Sequence, residues 1–413
     1  MERFKNIQWS QIGPLAPPRD LELQGALINR LRDAGRLESF LRQAGHAHHA
    51  ALLVVNDSHR ATPTRRILEA IATVASNLDN APEFRVLVAT GTHTVDDPER
   101  RQFEESTFQG CGLEISGVEW HEADNRQMLV SLAGCDMNRL LAQHRFILPI
   151  GSVEPHYFAG ATGAHKTLTI GCLSRDDIER NHAGAMSPES DLLRLDGNPV
   201  FDDMQRVLTQ LLSEERHVLA VNTVVNGPRI LDAAVGDPVE TLRRLLPTVT
   251  RAFVHRIPSP VDVALLLVPL PLGRSLYQAD KALKNCQGAV RAGGGMVLEA
   301  PCPEGVGADA FLRLLRRTQH YDIARQIVDD EGYRLGDHKA VKLLYLTDPK
   351  HRNVNVAVVS PNIDGRDLGE SRIAVFTKRE AALDWLAERL AGPSATGLRV
   401  QDAGVVGVMA RRG

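Results

Sequence analysis

In the first half of this 413-residue chain, His93, His156, Lys166 and His182 stand where side chains could do chemistry, preceded by Asp57 and Arg60. An unperturbed imidazole titrates near neutral pH, so two histidines facing one site suit proton transfer from two directions. Lys166 sits in "EPHYFAGATGAHKTLTIG", where Gly160, Gly163 and Gly171 would let backbone come close to a bulky ligand. A lysine there serves either as a phosphate contact or, when desolvated, as an amine that forms a covalent bond. His182 follows sixteen residues later. That is far from the i, i+4 pairing of a zinc helix, and spacing reveals no protein-only metal site of three or four ligands.

The elements that must hold these residues are short β-branched runs alternating with stretches of helical period. "ALLVVND" (51–57), "FRVLVATG" (84–91), "RFILPIGSV" (145–153) and "HVLAVNTVVN" (217–226) read as strands, with Ile67, Ile71, Val74 and Leu78 marking a helix after the first. The alternation restarts with the strand "VDVALLLVPLP", a helix over "LYQADKALKNCQGAVRAG", and the strands "GGMVLEAPCP", "NVNVAVVSP" and "RIAVFT". A last helix, "KREAALDWLAERLAG", is expected to stop at Gly392. This pattern predicts an α/β protein of two Rossmann-like domains with largely parallel sheets and the active site in the cleft between them. The boundary is placed in "VHRIPSPVD", giving domains 1–257 and 258–413.

Open α/β sheets bind ligands beyond the carboxyl ends of their strands. Three successive strands therefore deliver Asp57 and Arg60, then His93, then His156 to one rim. Thr62 is expected to cap the first helix with Pro63 in its first turn, so that free N–H groups and Arg60 hold an anion. In the second half Tyr277, Gln278 and Lys281 fall on the first turn of a helix after a strand, again at the functional edge. His121 and Asp124 in "WHEADN" read as loop residues.

With 48 basic and 51 acidic residues the formal charge is -3, which disfavours nucleic acid or an anionic membrane as the main partner. The five cysteines are scattered, with no C-x-x-C, so neither a disulfide framework nor a zinc ribbon is indicated. The first fifteen residues have no apolar signal core, and no apolar run reaches the ~18 residues that span a bilayer. A cytoplasmic protein is expected.

Taken together, "NDSHRATP", "GTHTVDDPE", "EPHYFAGATGAHK", "RNH" and "YQADKAL" resemble the lactate racemase family, in the family's order and spacing over most of the chain. The resemblance implies a racemase or epimerase of a 2-hydroxy acid that works by reversible hydride transfer to a nickel-pincer nucleotide, through a 2-keto acid. It implies that Lys166 joins the nucleotide covalently and that His182 is the one protein ligand of nickel, with Asp57, Thr62 and Gly163 also on the cofactor side. His93 and His156 match the acid/base pair. Arg60, Tyr277, Gln278 and Lys281 match the substrate side. The implied partners are a small 2-hydroxy acid and upstream enzymes that build the cofactor, and a homo-oligomer is compatible with this reading.

The chain departs from the family pattern at Ala164-His165, where a Gly-Arg-like pair is expected, and at Ile170, where many relatives have proline. None of its three tryptophans, Trp9, Trp120 and Trp385, lies in the middle of the second half, and His338 occupies the region where the family's active-site tryptophan is sought. The substrate is accordingly lactate or a larger 2-hydroxy acid, malate-like, aryl or sugar acid. Two other readings stay open: a non-catalytic homologue that binds nickel or the nucleotide, and a zinc-dependent hydrolase using His93, His156 and His182. A nicotinamide dehydrogenase is disfavoured because "RAGGGMV" leads into a strand, not from a strand into a helix.

Overall fold

The computed structural model describes residues 8–13, 27–32, 35–60, 62–213, 215–390 and 395–411. The fold is mixed α/β, with parallel and antiparallel pairing. One sheet runs in the order Arg229–Gly236, Ala220–Asn226, Phe146–Ser152, Ala51–Asn56, Phe84–Ala89, Ile115–Trp120, with the short strand His217–Val218 beside Phe146–Ser152. Its one antiparallel pair joins Ala220–Asn226 to Arg229–Gly236. A second sheet, parallel throughout, runs Gln8–Ile12, Thr396–Val400, Val261–Leu267, Val290–Glu299, Asn355–Val359, Ala374–Phe376.

Both sheets are covered on both faces, which is why their central strands are apolar without a break. Leu52, Val54 and Leu87 point into one core while Leu53, Val55 and Val86 point into the other. The second sheet repeats this with Ala264, Leu266 and Met296 on one side and Val263, Leu265 and Val297 on the other. Each such fully buried side chain contributes about 1.5–3 kcal/mol, so these strands are fixed in register. Asn56 is level with Ala89, and Leu53 with Leu148, and the loops that follow open on the same edge. The helix Thr64–Ala75 buries Ile67, Ile71 and Val74, as its period predicts.

Several expectations are corrected. The long helix over 276–293 is two short ones, Leu276–Ala279 and Lys281–Cys286, and the chain is already a strand from Val290. The break falls at Asp280, a fully buried carboxylate tied to Lys339 from a distant helix. Thr62 does not cap the first helix. Pro63 takes the cap position without a side-chain bond, while the Thr62 hydroxyl donates to Asn56 Oδ1 at 2.9 Å. The stretch "VHRIPSPVD" holds a strand, Val254–Ile257, paired with Gly407–Ala410. The terminal helix is Arg379–Arg389, and the Gly392 stop lies outside the described residues. All five cysteines are free and buried. Among the described residues no helix is long and apolar enough to cross a membrane.

Candidate functional site

Asp57, Arg60, His93, Gly163, Lys166 and His182 line one pocket at the carboxyl edge of the first sheet. Asp57 ends the central strand, and its carboxylate, 2% exposed, accepts from His93 Nδ1 at 2.7 Å. That bond leaves the Nε2 of a neutral His93 as its lone-pair nitrogen. His93 itself is exposed at the pocket mouth.

His156 stands on a small hairpin, Pro155–His156 with Gly160–Ala161, that follows the strand Phe146–Ser152. The Ala159 backbone N–H donates to its Nδ1 at 3.3 Å, so a neutral ring carries its proton on Nε2, which lies 3.2 Å from Lys166 Nζ. Burial, reinforced by the positive charges of Lys166, Lys281 and Arg60, holds the His156 ring well below the usual imidazole range. Burial, with Arg60 and Lys281 nearby, likewise holds the Lys166 ammonium far below the usual lysine range. Both shifts favour the uncharged forms, in which the Lys166 amine accepts from the His156 N–H.

Lys166 is presented by a single helical turn, Ala164–Leu168, that starts at Gly163. The Ala164 N–H donates to Asn222 Oδ1 at 2.8 Å, which docks the turn on the sheet. At Gly163, with φ +148°, a Cβ would lie 2.9 Å from that same oxygen, and at Gly171 a Cβ would lie 2.7 Å from Ala89 Cβ. The small residues are there for close backbone contact. His165 points the other way, fully buried against Phe201 with both ring nitrogens unpartnered. Burial and the Lys166 charge lower it to about 3.

His182 comes from the helix Arg175–Ala183, which Ser174 caps by accepting from Asp177 N–H. Its ring packs edge-on against Phe158, and its Nδ1 is buried, with the Ile178 backbone one turn back acting on it. Burial and the Lys166 charge pull it down to about 3.

The second half meets this pocket unevenly. Lys281 and Arg60 act electrostatically on His156 and Lys166, and neither forms an ion pair among the described residues. Tyr277 is held by Lys339, whose ammonium lies 4.1 Å from its ring centre and bonds its carbonyl oxygen; burial raises the phenol to about 12. Gln278 is exposed on its short helix, and its side chain is not brought to the pocket. Thr62 lies at the strand end, sharing hydrogen bonds with Asn56 and Ser152. His121 is buried on Leu173 O and lowered to about 4 by burial, and Asp124 forms a bidentate pair with Arg175. Both are structural.

Two further histidines stand beside residues of this site, His338, already singled out in the sequence, and His59, which was not. His338 is buried between the Tyr333 hydroxyl at 2.6 Å and the Tyr157 hydroxyl at 3.2 Å, with its ring against Phe158. His59, in the same loop as Asp57, has its ring 4.7 Å from that of His93. Only its place in "NDSHR" could have signalled it.

The chain is similar to several known proteins. Residues 22–192 match the lactate racemase N-terminal domain. The chain is 23% identical over 279 residues to a lactate racemase of Thermoanaerobacterium thermosaccharolyticum, covering 65% of this chain and 63% of that protein. It is 22% identical over 287 residues to a lactate racemase of Lactiplantibacillus plantarum, covering 66% and 64%. The matched stretch thus spans just under two thirds of the length of these curated relatives. In fold the chain is similar to the lactate racemase apoprotein of T. thermosaccharolyticum, with TM-score 0.76 and 19% identity over 100% of this chain and 96% of that one. A protein from Thermotoga maritima is similar at TM-score 0.65 and 17% identity, covering 96% and 99%.

Proposed function

The chain belongs to the lactate racemase family, and from that premise we propose that it is a racemase or epimerase of a 2-hydroxy acid, lactate or a larger one. Its cofactor in this reading is a nickel-pincer nucleotide, joined covalently to Lys166, with His182 as the protein ligand of nickel. One observation carries the reading. The Lys166 amine faces the His156 imidazole and no carboxylate, while the His182 ring lines the same pocket with no carboxylate or thiolate bonded to it among the described residues. A free amine suits a covalent link, and a lone imidazole with no thiolate or carboxylate beside it suits a metal that brings most of its own donors. Gly163 and Gly171 let this loop pack closely against Asn222 and Ala89, which fixes where Lys166 is presented.

When bound, the nucleotide supplies the hydride acceptor. The remaining work falls to this chain's side chains. Asp57 holds His93 with Nε2 free to take the proton of a substrate hydroxyl. Once Lys166 Nζ is acylated it no longer accepts, and the Nε2–H of His156 becomes free to donate to a substrate oxygen. Arg60 and Lys281, cations that form no direct ion pair among the described residues, hold the substrate carboxylate, and Tyr277 its hydroxyl. Thr62 supports the site through its hydrogen bonds with Asn56 and Ser152. Inversion requires the planar 2-keto acid to turn so that its carbon presents the other face while its carboxylate stays held, and His93 or His156 then returns the proton to its oxygen. We place this site between two Rossmann-like α/β domains, residues 1–257 and 258–413, in a cytoplasmic protein served by the enzymes that build the nucleotide.

The test is to replace His93 and His156 separately by Asn in cofactor-loaded protein. Nickel content and the Lys166 adduct stay, while racemisation of the 2-hydroxy acid falls by at least ~10²-fold. Full turnover in either variant would instead favour a nucleotide-binding protein that is not an enzyme.

A further inference from the structure

We propose that Asp57, His59 and His93 form a second metal site, for a divalent cation of the zinc type, at the mouth of the pocket. Among the described residues this is the one group of three whose ligand atoms, each from His, Cys, Asp or Glu, converge within 4.8 Å of one another. His182 is not part of it.

Zinc bonds to imidazole nitrogen and carboxylate oxygen are about 2.0–2.1 Å, so two ligands of a tetrahedral ion lie about 3.3 Å apart. Asp57 Oδ2 and His59 Nδ1 already stand 3.5 Å apart. Asp57 Oδ2 and His93 Nδ1, at 2.7 Å, share a hydrogen bond and need to open by roughly half an ångström to admit the ion. The His59 backbone N–H donates to the other carboxylate oxygen, Oδ1, at 3.2 Å, which fixes the group and leaves Oδ2 for a cation. Asp57 is buried and rigid, whereas the His59 and His93 side chains are 48% and 41% exposed. The ion therefore has a fixed anchor, two adjustable arms and an open path from solvent. Two imidazoles and one carboxylate select zinc, cobalt or nickel over magnesium or calcium. The fourth position is left for water.

Binding has a chemical consequence for His93. A neutral imidazole that gives its Nδ1 lone pair to the metal must carry its proton on Nε2, so the proton moves from one nitrogen to the other and none is lost. Nε2 then has no lone pair with which to accept a substrate proton, and the ion also removes the carboxylate that steadied the ring. Zinc at this site blocks His93 as a base. The binding stands apart from the proposed reaction, and only the inhibition rests on it.

The experiment is calorimetric titration of cofactor-free protein with zinc chloride, comparing the natural chain with His59→Ala and with Asp57→Asn. Thermal melts confirm that the variants fold. The natural chain is expected to bind one more zinc than either variant, or to bind at this site at least tenfold more tightly. Identical isotherms for the natural chain and His59→Ala would overturn the site. In the loaded protein, micromolar zinc is expected to slow turnover of the natural chain, and His59→Ala to lose that sensitivity. Zinc bound at the site with no slowing of turnover would overturn the inhibitory role while leaving the binding intact.

Discussion

His165, beside the proposed anchor lysine, is a buried imidazole with no partner for either nitrogen, and this makes acid stability a direct test of the structure. Its value falls from 6.5 to about 3 because burial, and then the Lys166 charge, disfavour the charged ring. The unfolded chain therefore takes up the proton first, and the folded state loses stability as pH falls from 6.5 toward about 3. At about 1.4 kcal/mol per unit, the loss between roughly pH 7 and roughly pH 4.5 is about 2.5 kcal/mol from this residue alone. Replacing His165 by Leu, of similar bulk against Phe201, removes that dependence whatever it does to packing. Urea unfolding at the two pH values, followed by Trp120 with Trp9 and Trp385 replaced by Phe, reads the first sheet alone. The natural chain is expected to lose about 2–3 kcal/mol more than the variant on acidification. Equal losses, within ~0.5 kcal/mol, would refute the neutral, unpartnered ring on which this reasoning depends.

Other perturbations give further checks. Asp57→Asn keeps the shape but no longer steadies His93 as a base, so kcat is expected to fall roughly 10²–10³-fold with little change in KM. Steady-state kinetics on loaded protein decides. Gly171→Ala forces a Cβ to 2.7 Å from Ala89 Cβ, so a cost of about 1–3 kcal/mol is expected in chemical unfolding; an unchanged midpoint would contradict the close packing of the two loops. Lys281→Met removes one of the two cations proposed to hold the substrate carboxylate. KM for the 2-hydroxy acid is expected to rise roughly tenfold or more, whereas an effect on kcat alone would contradict a binding role.

The central strands were readable because both their faces are buried. Residues 51–55 have no polar position, and the strand-end rule then placed Asp57 and His93 on one rim. The edge strands gave no such signal. Gln8–Ile12 is mostly exposed, and its partner Thr396–Val400 lies far along the chain. The helix read over 276–293 carried the right period, but its break depends on the Asp280–Lys339 ion pair, which no local pattern reveals. Thr62 failed as a cap for a similar reason: its hydroxyl finds Asn56 and Ser152 across the strand ends. His165 read as part of a ligand-binding loop, yet its ring faces the core, because consecutive residues of a helical turn point about 100° apart. Residue type and order were legible along the chain. Which way each side chain turned was decided by contacts distant in sequence.

The most direct test of the proposed chemistry is the mass of the peptide that contains Lys166, after expression together with the cofactor-building enzymes and with nickel supplied. The account predicts a mass increase equal to the covalently linked nucleotide, with nickel bound to the intact protein and lost on replacing His182 by Ala. An unmodified Lys166 in protein that holds no nickel would contradict it, and would confine the likeness to the fold.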